Sequence, residues 1–461
     1  MTDAANLLAR HIANFQFHSI PADVVKVARM EVLDTLGVAL AATTLAPGCP
    51  ELVDLAMEGA GKEESTILGF GGKAPSWMAA LANGTLAHSL GYDDFHESAN
   101  VHPGVTVVPA CFAVAERVGK VSGKRFLTAV VLGIDLACRL SLAAPKSKGW
   151  DPTAICGYFG AAAAASKILG LNEDGIQNAL GIAYSQAAGN TQASTDGALI
   201  RRMQAGFASM NGVLSALLAR KGITGATNSL EGEFGFYRVY HQGKYDPAAL
   251  TSELGKRFEV SNISFKPYPS PRGTHAAIDA TLDMVSEHTI LPDDIESITV
   301  FKSPGAVDHY VKPPEASPRA MNAMEAQHDI PFTVATAALR GRVGLRDFLP
   351  EAIQGRSVLQ MCGRVRVQPY PEFATFIPAI VEIRTLEGMR YSRLVSEPSG
   401  GPNNPVSTER LIQKFADCAS YSIISLSGER LKEVAEMIMN LEKVEGVGEI
   451  VSLLDPSHST L

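Results

Sequence analysis

From residue 1 to about residue 260 the apolar positions recur every three or four residues, and alanine crowds the stretches between them. That spacing puts the apolar side chains on one face of a helix. Leu7, Leu8, His11, Ile12 and Phe15 open the pattern, and Pro21 starts a second helix through Val27, Met30, Leu33 and Leu36 to Ala41. Further helices are predicted from Trp77 to Leu90, through 105–145 and through 157–220, with Ala161 to Leu169 and Ala208 to Ala219 as clear examples. Small side chains permit close helix approach, and strand-type alternation is absent. Residues 1–260 therefore predict one large all-helical domain.

The pattern changes after residue 260. Ile298-Thr-Val-Phe301 and Val365-Arg-Val367 read as short strands, and Ala379–Thr385 with Met389–Val395 around Leu386-Glu387-Gly388 reads as a hairpin. Helical spacing lies between them, at Thr274 to His288 and Thr333 to Leu339. After the turn Ser399-Gly-Gly-Pro-Asn-Asn-Pro405, helical spacing resumes at Thr408 to Cys418 and Ser427 to Leu441. The expected fold is mainly α with an inserted α+β domain. Residues 1–260 and 403–461 form the helical part, and 261–402 form the insertion.

A chain of 461 residues exceeds what one core organises, which agrees with two domains. The net charge of -8 argues against nucleic acid or an anionic membrane as partner. Basic residues that attract an anionic substrate must therefore be sought singly. The six cysteines (49, 111, 138, 156, 362 and 418) contain no CxxC pair, which suits reduced thiols in a cytoplasm. The opening Met-Thr-Asp-Ala-Ala has no basic region leading into an apolar core, so no signal peptide is expected, and no run reads as a membrane span.

Chemistry concentrates in His88-Ser-Leu-Gly-Tyr-Asp93-Asp94-Phe-His96-Glu97 and the following Val101-His102-Pro-Gly104. Ser98, Asn100, Pro103 and Gly104 make its second half a loop, and loops carry chemistry on a rigid scaffold. A bland reading is a solvated connector. The functional reading is a carboxylate, Asp93, that orients His102 as general base or acid, since imidazole titrates near neutrality. On a helix end the adjacent Asp93 and Asp94 point about 100° apart and cannot serve one substrate together. His88 and His96 are eight apart, with no HxxxH or HExxH, so no metal site is expected.

Two more segments stand out. Arg201 and Arg202 open a long helix, with Gln204 beside them, and guanidinium groups bind carboxylates bidentately; solvated surface arginine is the alternative. Phe265-Lys266-Pro-Tyr-Pro-Ser-Pro-Arg272-Gly-Thr274-His275 is stiffened by three prolines and is either a substrate segment, a rigid linker or both. Glu325-Ala-Gln327-His328-Asp329 reads best as a helix cap, and neither GxGxxG nor GxxxxGK occurs, so no nucleotide cofactor is expected.

Taken together these motifs resemble the MmgE/PrpD family, which includes 2-methylcitrate dehydratase, cis-aconitate decarboxylase and iminodisuccinate epimerase. The likeness rests on Leu33-Asp-Thr-Leu-Gly-Val, His88 through Asp94 with His102-Pro-Gly, and Gly157-Tyr-Phe-Gly-Ala-Ala-Ala-Ala-Ala. It continues in Phe265-Lys-Pro-Tyr-Pro, Thr274-His-Ala-Ala-Ile-Asp, Gln327-His328, and Asn404-Pro405 ahead of Lys414-Phe415. The resemblance implies an all-helical domain, an inserted α/β lid, a homodimer and cofactor-free chemistry beside a carboxylate.

Several positions depart from what the decarboxylase and dehydratase branch leads one to expect. Gly91 stands where an acid belongs, Phe95 where a threonine belongs, and Asp151 in Gly149-Trp-Asp-Pro where a histidine belongs. Arg201 replaces a lysine, Gln204 a frequent histidine, Pro271 a nearby histidine and Phe332 a tyrosine, while Lys266 is retained. The expected enzyme is an isomerase or lyase acting at the carbon alpha to a carboxylate, with iminodisuccinate epimerase-like proton transfer leading. Asp93, His102 and Lys266 would handle protons; Arg201, Gln204, Arg272, Thr274, His275 and Asp151 would bind substrate across a cleft. The alternatives are a dehydratase of a 2-methylcitrate-like hydroxy acid, in which Asp151 substitutes for the absent histidine, and a catalytically degenerate carboxylate-binding homologue.

Overall fold

The computed structural model describes residues 3–59, 61–145, 149–311 and 322–455. Its principal helices, in chain order, are α1 (Ala22–Leu45), α2 (Ser76–His88), α3 (Gly104–Val118), α4 (Gly123–Ala143), α5 (Pro152–Leu169), α6 (Ile200–Arg220), α7 (Arg272–Glu287), α8 (Ile330–Arg340) and α9 (Thr408–Ala419). The chain divides into two compact units. One is Met1–Phe265 with Ser407–Leu461, and the other is Lys266–Val406. The fold is mainly α with a small mixed sheet confined to the second unit.

In the first unit α2, α3, α4, α5 and α6 pack side by side, and alanine and glycine set the spacing. A Cβ on Gly133 of α4 would lie 2.8 Å from the Gly160 carbonyl of α5, and one on Gly160 would lie 2.7 Å from the Gly133 carbonyl. Backbone therefore meets backbone there, a separation that no larger residue allows. Helix α4 is long and apolar enough to cross a membrane, but 89% of its apolar window is buried among its neighbours. Ser407 caps α9, which returns the chain to pack on α1.

Two short ribbons escaped the helical pattern: Ser65–Ile67 with Gly72–Ala74, and Phe95–His96 with Ile263–Ser264. Two or three residues are too few to show a period. The second ribbon matters because it ties the polar loop after α2 to the end of this unit. It also explains why the unit extends to Phe265 and beyond the expected 260. His96 Nδ1 accepts from Ala99 N at 3.0 Å, so its proton sits on Nε2 and is donated to Glu259 Oε2 at 3.2 Å. Glu259 N is held in turn by Asp135 Oδ1 at 2.8 Å.

The second unit is a four-stranded sheet with helices on it. Its strands are β1 (Ile295–Lys302), β2 (Val365–Pro369), β3 (Ala379–Thr385) and β4 (Arg390–Val395), in the order β2-β1-β3-β4. The β1–β2 pair is parallel and the other two pairs are antiparallel. Alternate residues Ile298, Val300, Val381 and Ile383 are buried with Ala276, Ala280, Val334 and Ala338 of α7 and α8, the one-sided burial expected of such a sheet.

Two expectations follow. A Cβ on Gly123 would lie 1.5 Å from the Leu441 carbonyl oxygen, beside the 2.8 Å bond from Gly123 N to Val444 O. Because backbone blocks it, Gly123→Ala should cost about 1–3 kcal/mol in urea unfolding. The Glu259 carboxylate is disfavoured by burial, but hydrogen bonds from His96 and Asn262 and the charge of Arg257 outweigh this and bring its pKa down to about 2. A depressed carboxylate contributes stability that is full above its unfolded pKa and is lost as pH falls toward 2. Between pH 5 and pH 3 the native chain should lose more stability in urea titrations than Glu259→Gln; equal losses would contradict the pairing.

Candidate active site

The site is assembled at the ends of helices in the first unit. His88 is the last residue of α2, and the chain then leaves the helix so that Gly91 adopts a positive φ of 64°. Asp93 follows, almost wholly buried, and one of its oxygens serves two imidazoles. Oδ2 lies 2.8 Å from His88 Nδ1 and 2.9 Å from His102 Nδ1. The carbonyl of Asp94 lies 2.5 Å from the same His102 nitrogen. A carbonyl oxygen only accepts, so His102 Nδ1 carries a proton, and in the neutral ring the lone pair lies on Nε2. An imidazole held this way is set up to take a proton at Nε2.

The neighbouring carboxylate takes a different direction, as expected of adjacent residues. Asp94 Oδ2 accepts from Gly104 N at 3.0 Å, at the start of α3. His102 is the more accessible of the two histidines, with 18% of its side chain exposed. Its ring contacts that of Phe95 at 4.8 Å between centroids and that of His88 at 5.1 Å.

Among the described residues, His88, Asp93 and His102 offer three donor atoms within 4.8 Å of one another and could hold a metal ion. Their spacing fits hydrogen bonding better. Two ligands about 2.1 Å from a tetrahedral ion stand about 3.4 Å apart, whereas both nitrogens here are within 2.9 Å of the oxygen. The Asp94 carbonyl also requires a proton where a metal would need the Nδ1 lone pair.

Hydrogen bonds carry this centre on to three of the expected binding residues. His102 N donates to Thr153 Oγ at 3.1 Å, and Thr153 N and Ala154 N donate to Asp151 Oδ1 at 2.9 and 3.3 Å. Asp151 thus caps α5. Its own N–H donates to Gly189 O at 3.2 Å, and Trp150 bridges Asn190. Gln204 grips that same strand, accepting from Asn190 N at 2.6 Å and donating to Asn190 O at 3.1 Å. Arg201 donates from Nε to Ser194 Oγ at 2.7 Å, in the first turn of α6.

The second unit holds the other expected residues. Lys266 is buried, with 4% exposed. Arg272, equally buried, donates to the carbonyls of Ser399 at 2.6 Å and Pro398 at 3.3 Å, and from Nη1 to His275 Nδ1 at 3.1 Å. His275 consequently donates from Nε2 to Ser270 O at 3.0 Å. Thr274 Oγ bonds Pro271 O at 2.9 Å and pairs with Ser270 Oγ at 2.8 Å. Asp329 caps α8 by accepting from Phe332 N, and Asn322 with Glu325 forms a capping box, as the polar cluster there suggested. Phe332 lies in the core of this unit.

Sequence reasoning assigned no role to Thr153 or Glu31; it offered Asp34 and Lys414 only as parts of family motifs, and His88 as part of one and as a rejected metal ligand. The signal for Glu31 and Asp34 was present: two acids three apart, both buried, in the otherwise apolar middle of α1.

Comparisons with known proteins identify two family domains in chain order, the second of which runs on into residues that the structure places in the first unit. Residues 6–248 match the MmgE/PrpD N-terminal domain and residues 268–440 the MmgE/PrpD C-terminal domain. The chain is 28% identical over 474 residues to the cis-aconitate decarboxylase-like protein oryM of Aspergillus oryzae, covering 97% of this chain and 96% of that protein. It is 25% identical over 469 residues to cis-aconitate decarboxylase of Aspergillus terreus, with 96% and 94% covered. Cis-aconitate decarboxylase of Homo sapiens is 28% identical over 453 residues, with 94% and 90% covered. With both of its domains present in order along nearly the whole length, the chain belongs to the MmgE/PrpD family of carboxylate-acting enzymes.

Proposed function

We propose that this enzyme is a cofactor-independent lyase that moves a proton at the carbon next to a carboxylate of a small di- or tricarboxylate. The observation that carries the reading is the doubly held proton on His102 Nδ1, 2.9 Å from Asp93 Oδ2 and 2.5 Å from Asp94 O. It leaves Nε2 as the base. When Nε2 takes the α-proton, the electron pair moves into the neighbouring carboxylate, and Asp93 stabilises the imidazolium that forms. When CO₂ leaves instead, no α-proton is taken, so His102 must start as the imidazolium, with a solvent-derived proton on Nε2 that it gives to the carbanion left behind.

An anionic substrate needs cations, and Arg201 is the candidate in the first unit. A guanidinium in the first turn of α6 opposes the helix dipole, at about 0.3–1 kcal/mol, and a bound carboxylate relieves that conflict. Lys266 is proposed as a second proton-handling group, on the strength of its match to the family motif. Asp151 and Gln204 position backbone around His102, while Arg272, Thr274 and His275 position the segment after Lys266. The relatives named for cis-aconitate support a tricarboxylate of that type.

Epimerisation is the second reading, favoured by Phe95. Its ring lies against His102 where the family pattern leads one to expect a hydroxyl, and Gly91 offers no side chain. With no acid for a leaving group, His102 suits removal of the α-proton, and inversion then needs a second group, for which Lys266 is proposed, to return a proton to the opposite face.

Incubation with cis-aconitate and with 2-methylcitrate in deuterated water separates these outcomes. Deuterium uptake with release of CO₂ or water supports the lyase, and uptake alone supports the epimerase. Binding without exchange of any carboxylate substrate sinks the enzymatic role. His102→Ala should reduce exchange about 10²–10⁴-fold while ligand-dependent melting persists. Exhaustive treatment with EDTA should leave the rate unchanged; loss that zinc restores would turn His88, Asp93 and His102 into a metal site.

A further inference from the structure

Behind the loop that carries Asp93, four ionisable side chains meet in the interior of the first unit. Glu31 and Asp34 come from α1, Asp94 from the loop and Lys414 from α9, and none is more than 9% exposed. Lys414 Nζ lies 2.6 Å from Asp34 Oδ1, donates to the Tyr92 carbonyl at 2.8 Å and sits 3.8 Å from the centre of the Tyr92 ring. That carbonyl belongs to the peptide leading directly into Asp93. Asp94 is fixed at both ends: its side chain accepts from the first N–H of α3, and its carbonyl accepts from His102.

Glu31 fills the space over this corner. A Cβ on Gly104 would lie 1.7 Å from Glu31 Oε1 and 3.0 Å from Asp94 Oδ1, so the two carboxyl groups converge where glycine leaves room. Burial, then the charges of Asp94 and Asp34, push the Glu31 carboxyl well above the usual range, although Thr35 and Lys414 pull the other way. Burial and the crowding of the three carboxyl groups thus favour the uncharged form of Glu31, which repels Asp94 less at its helix end. A buried ion pair adds little net stability over an apolar replacement. Stability alone gives no reason to gather four such groups at an otherwise apolar contact.

We propose that Lys414 and Glu31 are positioning residues for His102. Lys414 sets the carbonyl before Asp93 and Glu31 sets Asp94, so together they fix both acceptors of the His102 proton. The consequence for turnover rests on the reading of His102 as the proton-handling group.

Proton NMR of the full chain tests this without a substrate. A held imidazole N–H gives a far-downfield resonance, assigned here by its loss in His102→Ala. Glu31→Gln should keep it, while Lys414→Met and Glu31→Ala should lose it although circular dichroism shows both folded. With cis-aconitate as probe, Lys414→Met should lower kcat about 10- to 100-fold and leave KM within about threefold. An unchanged resonance and kcat in both Lys414→Met and Glu31→Ala overturn the proposal. If Lys414→Met does not fold, the Glu31 pair decides, and equal resonances in Gln and Ala overturn it. So does the lack of any His102-dependent resonance in the unsubstituted protein. The expected resonances without exchange of any substrate would instead sink the proposed reaction and leave the positioning role standing.

Discussion

One proton organises this protein: the one on His102 Nδ1, shared between Asp93 Oδ2 and the Asp94 carbonyl. Asp93 Oδ2 also holds His88, so a single buried oxygen orders two rings. Burying a carboxylate among alanine-rich helices is costly unless its partners are in place. The partners come from helix ends, where backbone and side-chain polar groups are left over from the helical ladder. His88 ends α2, Gly104 begins α3, Thr153 lies in the first turn of α5 under its Asp151 cap, and Arg201 lies in the first turn of α6. The site is thus a meeting of termini, and the close helix packing that glycine and alanine permit brings those termini together.

That construction accounts for what the sequence displayed. The helical and α+β segments were legible because each spans many periods: α6 repeats its small residues over six turns' worth of chain, and the hairpin of β3 and β4 is marked by alternation and by Glu387-Gly388. The ribbons at Ser65 and Phe95 had no period to show. Asp93 and His102 were legible because so much polarity in a short loop stands out from apolar surroundings. The meeting of Lys414 with the acids of α1 was not, because it depends on how α9 packs on α1 after the whole second unit has intervened. Residues singled out for their chemistry, such as Arg272, His275 and Gln204, are engaged with backbone carbonyls and amides. Composition alone does not distinguish a side chain that holds a loop from one that holds a ligand.

The departures from the family pattern bear on the reaction through leaving-group chemistry. Loss of water from a hydroxy acid needs an acid to protonate the departing oxygen, whereas CO₂ departs with no proton and epimerisation expels nothing. Asp151, standing where a histidine was expected, is committed to two N–H groups of α5 as a helix cap. Phe95 covers the ring of His102 with carbon. Among the described residues of this corner the base is better provided for than any acid. On the proposed mechanism, that imbalance ranks proton exchange above dehydration, while decarboxylation loses no proton with CO₂ but still needs His102 as the imidazolium to protonate the carbanion.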